Sequence, residues 1–140
     1  MEKRRSIHVE GVRHVNPIPS ACRRGPFVTT GAISGVDPAT GKPSPDLDAQ
    51  CRQMFENVRR VMAAAGGSPE DIVKMTVWIT DRSLRETMNR YWVEMFPDPE
   101  SRPARHTVTS TDLTPPLQIQ CDLLAVVDEG WAGTGAEARR

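Results

Sequence analysis

The clearest structural signal in the chain is residues 44–67, which read SPDLDAQCRQMFENVRRVMAAAGG. Ser44 suits the capping position of a helix and Pro45 its first position, where a proline leaves no extra N–H without a partner. Apolar residues then recur at helical spacing, namely Cys51, Met54, Phe55, Val58, Val61, Met62 and Ala65. Gly66 and Gly67 indicate where the helix ends. The stretch predicts a long amphipathic helix that covers a core.

Strands are predicted directly after this helix and near the end of the chain. In residues 72–79, Val73, Met75, Val77 and Ile79 alternate with Lys74, Thr76 and Trp78. Residues 117–127 alternate in the same way, with Gln118, Gln120 and Asp122 on the polar face. Because successive side chains of a strand point to opposite faces, each segment has one face suited to lie under helices.

A second helix is predicted to begin near Ser83 and to end before Pro97, with Leu84, Met88 and Trp92 on its apolar stripe. Further strands are predicted at residues 6–14 and 27–30, and a turn-rich loop at residues 37–43. Two helices can cover only one face of such a sheet, which makes the fold α+β. Trp78 lies on the other face and favours a partner subunit there.

Length and charge exclude several classes of protein. The 140 residues suit a single domain over residues 1–127, followed by a Gly-rich, polar tail at 128–140 that we expect to be flexible. Eighteen basic residues balance eighteen acidic ones, which disfavours nucleic acid and membrane surfaces as partners. No segment is apolar enough to span a bilayer. The three cysteines lack metal spacing, and we expect a soluble, cytoplasmic protein.

The sequence carries none of the usual signatures of a nucleophile, a phosphate loop or a metal site, so we expect no cofactor and no metal. His8 and His14 have no third ligand at a suitable spacing. What remains is Arg105, which follows Pro103-Ala104 in an extended segment and shares a face with Thr107. An arginine there matches a carboxylate bidentately. The short turn at residues 113–116 predicts that this segment pairs with the last strand as a hairpin.

Several motifs in this order resemble the Rid family of reactive-intermediate deaminases, also called YjgF-like proteins. The matching residues, within roughly 16–127, are Gly31, Asp37–Gly41, the Gln50–Ala65 helix with Asn57, Ala64–Gly67, Asp71–Val77, Asp81, Asn89, Phe96 and Pro103–Arg105. The resemblance implies a chorismate-mutase-like mixed β-sheet with two helices on one face. It also implies a homotrimer whose sheets face a central barrel, with sites in clefts between subunits.

The resemblance further implies hydrolysis of 2-enamino or 2-imino acids, such as an aminomuconate-like intermediate, to keto acids and ammonia. It implies that Arg105 grips the substrate carboxylate. It assigns catalysis to Arg105 and Gln120 and substrate binding to Thr30, Gly31, Asn89, Arg105 and Thr107.

The sequence departs from the family pattern at two positions whose residues would act on the attacking water. Gln120 stands where many active members have a Glu, and an amide orients water but cannot accept its proton. The family's amino-terminal-loop Tyr is absent, with Ile18 as its nearest counterpart, and Thr107 replaces a frequent Cys. Two alternatives therefore stay open: a binding protein for small carboxylates without turnover, and an RNA-binding or endoribonuclease protein, which the balanced charge disfavours.

Overall fold

The structure is a computed structural model that describes residues 3–12 and 14–128. Its strands are β1 (Arg5–Ile7), β2 (Ala21–Arg24), β3 (Phe27–Thr30), β4 (Ile33–Ser34), β5 (Val36–Asp37), β6 (Lys42–Pro43), β7 (Ile72–Ile79), β8 (Ala104–Thr109) and β9 (Ile119–Val126). Its helices are α1 (Leu47–Ala64) and α2 (Arg85–Met95). None of the helices in these ranges has the length and apolar character needed to cross a membrane.

The sheet is mixed, and both helices lie on one of its faces. Its strand order is β1-β2-β3-β9-β7-β8, with β4 also paired to β9 and the pair β7–β8 parallel. Fully or almost fully buried side chains from β7 and β9 form the face under the helices: Met75, Val77, Ile79, Ile119, Cys121, Leu123 and Ala125. The α+β architecture predicted from the sequence is confirmed.

Helix α1 begins slightly later than its sequence predicts. Asp46, rather than Ser44, is the capping residue, and its carboxylate accepts a hydrogen bond from the N–H of Ala49 at 2.9 Å. Ser44 instead accepts from the N–H of Asp46 at 3.1 Å. Asp46 is the cap because it is the last residue with an extended backbone before the helix, which lets its side chain reach the N–H of Ala49.

Helix α2 is held against α1 by Asp48. Its carboxylate accepts from Arg90 and from the Tyr91 hydroxyl, both at 2.7 Å, and from Arg52 at 3.0 Å. The hydrogen bond from Tyr91, and then that from Arg90, keep the pKa of Asp48 below its ordinary value. This contact fixes the position of the helix that faces Arg105.

The structure corrects three local predictions. A hairpin of β2 and β3 turns at Gly25, whose φ of 59° favours glycine, whereas only β3 was predicted as a strand there. Strand β1 is shorter than residues 6–14. Val73 is half exposed rather than buried, because the register between β7 and β9 shifts between Ile72 and Lys74. The predicted tail, apart from Asp128, lies outside the described residues.

A buried glutamine ties α1 to the segment that enters β9. The Gln50 side-chain amide donates to the carbonyls of Ser44 and Pro116 at 2.7 and 3.0 Å. Its oxygen accepts from the N–H of Gln118 at 2.6 Å. Gln50 is fully buried, so its own amide group is shielded from water, while the partner residues are half-buried or exposed. The entry into β9, and with it Gln120, depends on this side chain.

We expect Gln50→Leu to lower the free energy of unfolding by about 1–3 kcal/mol, because it removes three hydrogen bonds and leaves the partly buried N–H of Gln118 and two carbonyls without this partner. Urea unfolding followed by circular dichroism measures the change. Gln53→Leu on the same helix is the matched control, since Gln53 is half-buried and makes one side-chain bond, to Asn57. Equal losses in the two variants would contradict the role assigned to Gln50.

Candidate functional site

Arg105 lies on the edge strand β8, on the face that α2 covers. It pairs with Met75 in the parallel register, so its side chain points to the helix side of the sheet. One terminal nitrogen lies 3.2 Å from the sulfur of Met88, and the guanidinium carbon lies 4.7 Å from the centre of the Trp92 ring. The guanidinium therefore packs against a thioether and an aromatic ring. Neither is a strong hydrogen-bond acceptor, so most of its N–H donors remain available.

No carboxylate within residues 3–12 and 14–128 is in ion-pair contact with Arg105. Burial lowers the pKa of Arg105 from its ordinary value, and the nearby charge of Arg85 lowers it further. Two half-buried neutral groups lie close by: Thr107 on the same face of β8, and Asn89 next to Met88 on α2. A partly dehydrated cation without a counter-ion is chemically suited to bind an anion.

Gln120 lies in a different place. It is half-buried on β9, on the face away from the helices, and pairs with Ser34 on β4 and Trp78 on β7. Its side chain lines a cavity of about 400 Å³ together with residues that include His14, Ser34 and Asn57. Asn57 is buried and donates to the carbonyls of Ser34 and Val36 at 2.8 and 2.9 Å, which fixes this wall.

Thr30 and Gly31 border the Gln120 half-site, but part of their hydrogen-bonding capacity is already used. The Thr30 hydroxyl accepts from the N–H of Leu123 at 3.1 Å and the Gly31 N–H donates to the Ser20 carbonyl at 3.0 Å. The backbone group that Gly31 can still offer a ligand is therefore its carbonyl. A β-carbon on Gly31 would lie 3.1 Å from Nε2 of His14, so this position suits a residue without a side chain.

His14 is a residue of this cavity that sequence reasoning weighed only as a metal ligand. Its Nε2 is buried and has no hydrogen-bond partner among the residues that the structure describes. The residue precedes an irregular loop, Asn16–Pro19, where no periodicity predicts which way a side chain points. The one sequence feature that could have indicated the position of His14 is Gly31, which is close to the ring in space and leaves room for it.

The two half-sites do not meet within one chain. Strand β7 lies between β8 and β9, so the predicted hairpin of β8 and β9 is wrong. Arg105 is opposite Met75 and Gln120 is opposite Trp78, which separates them by about 10 Å along the strands and about 10 Å across them. Their side chains also point to opposite faces. The predicted site residues thus fall into an Arg105 half-site, with Asn89 and Thr107, and a Gln120 half-site, with Thr30 and Gly31.

The sheet face away from the helices carries apolar side chains that a single chain leaves open. Phe27, Val108 and Val126 are 50%, 41% and 48% exposed. Trp78 is half-buried between its cross-strand neighbours Val108 and Gln120. Asp122 lies on the same face, and burial raises its pKa despite the opposing effect of Lys74. A surface of this make-up resembles one side of a protein–protein interface.

Comparisons of the sequence and of the fold with known proteins lead to one set of related proteins. A family model described as endoribonuclease L-PSP matches residues 13–127. The 2-iminobutanoate/2-iminopropanoate deaminase of Salmonella typhimurium is 34% identical over 113 residues, which cover 80% of this chain and 88% of that protein. A RutC family protein of Aquifex aeolicus is 31% identical over 112 residues, with 80% and 90% covered. The crystal structure of Escherichia coli TdcF with bound serine superposes with a TM-score of 0.81 at 29% identity, with 89% and 99% covered.

Proposed function

The chain belongs to the Rid, or YjgF-like, family of reactive-intermediate deaminases, and from that premise we propose that it hydrolyses 2-imino or 2-enamino acids to 2-keto acids and ammonia. The observation that carries the proposal is the Arg105 guanidinium, which is half-buried and lacks a carboxylate partner among the described residues. A substrate carboxylate supplies the missing counter-ion.

Arg105 is suited to hold this carboxylate in one orientation. Its ring and sulfur contacts restrain the guanidinium plane, and a restrained fork binds a carboxylate through two parallel hydrogen bonds. A charge-assisted hydrogen bond contributes about 1.5–3 kcal/mol. Asn89 and Thr107 add neutral donors beside it. The imine carbon, which is bonded to the carboxylate carbon, is thereby fixed in position.

The reaction needs a water molecule on that carbon. The water oxygen forms a bond to the imine carbon, and one of its protons passes to the imine nitrogen, which gives a carbinolamine. The hydroxyl proton of the carbinolamine then passes to its amino group as the C–N bond breaks, which releases ammonia and leaves the 2-keto acid. Gln120 can orient the water through its side-chain oxygen. It cannot take the proton, so in this protein the imine nitrogen itself receives it, and positioning supplies the acceleration.

Both half-sites can line one cleft only if they come from different subunits. We therefore place the site between neighbouring copies in a homotrimer, with Arg105 from one and Gln120 from the next. The apolar sheet face with Phe27, Trp78 and Val126 supports this assembly, since it would be covered at the centre of the trimer. The free thiols of Cys22, Cys51 and Cys121 fit the reducing cytoplasm, where we place the protein.

Imines generated in situ by an amino-acid oxidase test the proposal. We expect the protein to accelerate the loss of imine, trapped as its semicarbazone, together with the release of ammonia. The matched control is the same protein boiled before use, because free imines hydrolyse in buffer. A rate equal to that of buffer, over several imino acids of different size, would contradict a deaminase.

A second candidate function, favoured by Gln120, is binding of a small carboxylate without turnover. It predicts that keto acids bind at Arg105, as measured by calorimetry, while no imine is hydrolysed faster than in buffer. The two measurements together separate an enzyme from a binding protein.

A further inference from the structure

Helix α2 places a second arginine, Arg85, on the face that contacts Arg105, and we call the surface over Arg85 and Arg105 the groove. Arg85, Met88 and Trp92 follow one another at spacings of three and four residues, which places them on one face of the helix. Arg105 contacts the last two of these, through the Met88 sulfur at 3.2 Å and the Trp92 ring at 4.7 Å. Because Arg85 is one turn from Met88 on this face, its side chain reaches the neighbourhood of the Arg105 guanidinium.

The Arg85 side chain also lacks a partner. Its Nε is buried and makes no hydrogen bond, and no carboxylate in the described parts of the chain pairs with it. A buried N–H without an acceptor is unfavourable, and two adjacent guanidinium groups repel each other in addition. The lowered pKa of Arg105, to which Arg85 contributes, reflects the same proximity.

One carboxylate balances only one of the two cations. A carboxylate bound bidentately by Arg105 brings a single negative charge, which leaves the charge of Arg85 without a counter-ion. Neither arginine forms an ion pair with a carboxylate of the described residues, so the two positive charges are not balanced there. A ligand that balances both brings a second negative charge.

We propose that Arg85 binds a second carboxylate, so that the protein acts on 2-imino acids whose side chain ends in a carboxylate. The inference rests on the proposed function, in which Arg105 holds the first carboxylate. Arg85 then selects the substrate, and the imine between the two carboxylates is held at both ends. A monocarboxylic imine would occupy the same groove with Arg85 left unpaired.

Calorimetry with two keto acids tests the assignment without requiring turnover. The probes are 2-oxoglutarate and 2-oxopentanoate, which have the same carbon chain and differ in the terminal carboxylate. We expect the wild-type protein to bind 2-oxoglutarate about tenfold or more tightly than 2-oxopentanoate, which corresponds to about 1.4 kcal/mol. In Arg85→Met this ratio falls toward one. Arg82→Met, at an exposed arginine just before α2, is the matched control and keeps the ratio.

The outcomes separate this inference from the proposed function. A wild-type ratio near one, or an unchanged ratio in Arg85→Met, overturns the role of Arg85. If Arg85 instead pairs with an acidic group of a partner subunit, Arg85→Met changes the molecular mass in solution but not the ratio, which also overturns it. Arg105→Met should weaken both ligands, and if it weakens neither, the proposed carboxylate site itself is wrong.

Discussion

Arg105→Met is expected to lower kcat/KM for 2-imino acids by about 100-fold, because a bidentate, charge-assisted pair with a carboxylate is worth about 3 kcal/mol. Methionine keeps an unbranched apolar stem against the Trp92 ring, so the fold of the edge strand should persist. Initial rates of imine loss, measured over a range of substrate concentrations, give kcat and KM separately.

The split between the two constants tells what Arg105 does. A rise in KM alone indicates that the arginine only binds, whereas a fall in kcat indicates that it also positions the imine carbon for attack. Arg59→Met, at an exposed arginine on α1, is the matched control and should leave both constants unchanged. If Arg105→Met kept the full kcat/KM, the carboxylate would have to bind elsewhere.

Mixing two variants tests whether the site is shared between subunits. Gln120→Leu removes the group that orients the water and should lower the rate at least about tenfold. In trimers reassembled from equal amounts of Arg105→Met and Gln120→Leu chains, about a quarter of the sites regain both wild-type residues, because each takes one half from each of two neighbours. Recovery of activity on mixing is the expected result. No recovery would mean that Arg105 and Gln120 do not act together in a site shared between subunits.

Much of the fold could be predicted because its signals are local. The stripe on α1 and the alternation in β7 and β9 depend on the residues of each element alone, and the structure buries the expected side chains, from Met54 and Val58 to Met75 and Cys121. The bulge at Val73 could not be predicted, because the alternation of apolar and polar residues continues through it in the sequence. The residue that caps α1 could not be predicted, because Ser44 and Asp46 are both favourable capping residues.

The arrangement of the site could not be predicted in the same way. Alternation placed Arg105 and Thr107 on one face, but it carries no information about which strand lies beside β8. The insertion of β7 between β8 and β9 is a long-range pairing, and it separates Arg105 from Gln120. The unpartnered Nε of Arg85 emerges only when all side chains are placed, since an arginine at the start of a helix is most often solvated.

Gln120→Glu is expected to raise kcat by about 100-fold, since a positioned general base contributes about 10²–10⁴ to a rate. Glutamate has nearly the same shape as glutamine, and the cavity of about 400 Å³ beside it has room for a water. The carboxylate can then accept the proton that the amide cannot. Because the base works only when ionised, the gain should appear as pH rises through the pKa of the new Glu and vanish below it.

Gln118→Glu, two residues earlier, is the matched control for Gln120→Glu, because it adds the same charge without a place beside the water. Its side chain donates to the Pro45 carbonyl at 3.3 Å and is not among the residues that line the cavity with Gln120. An equal gain in both variants would trace the effect to net charge. No gain in Gln120→Glu would mean that proton transfer does not limit the rate, because the imine nitrogen already takes the proton as water adds. The wild-type amide would then be sufficient for catalysis, and the family's usual carboxylate would be dispensable for this protein's substrate.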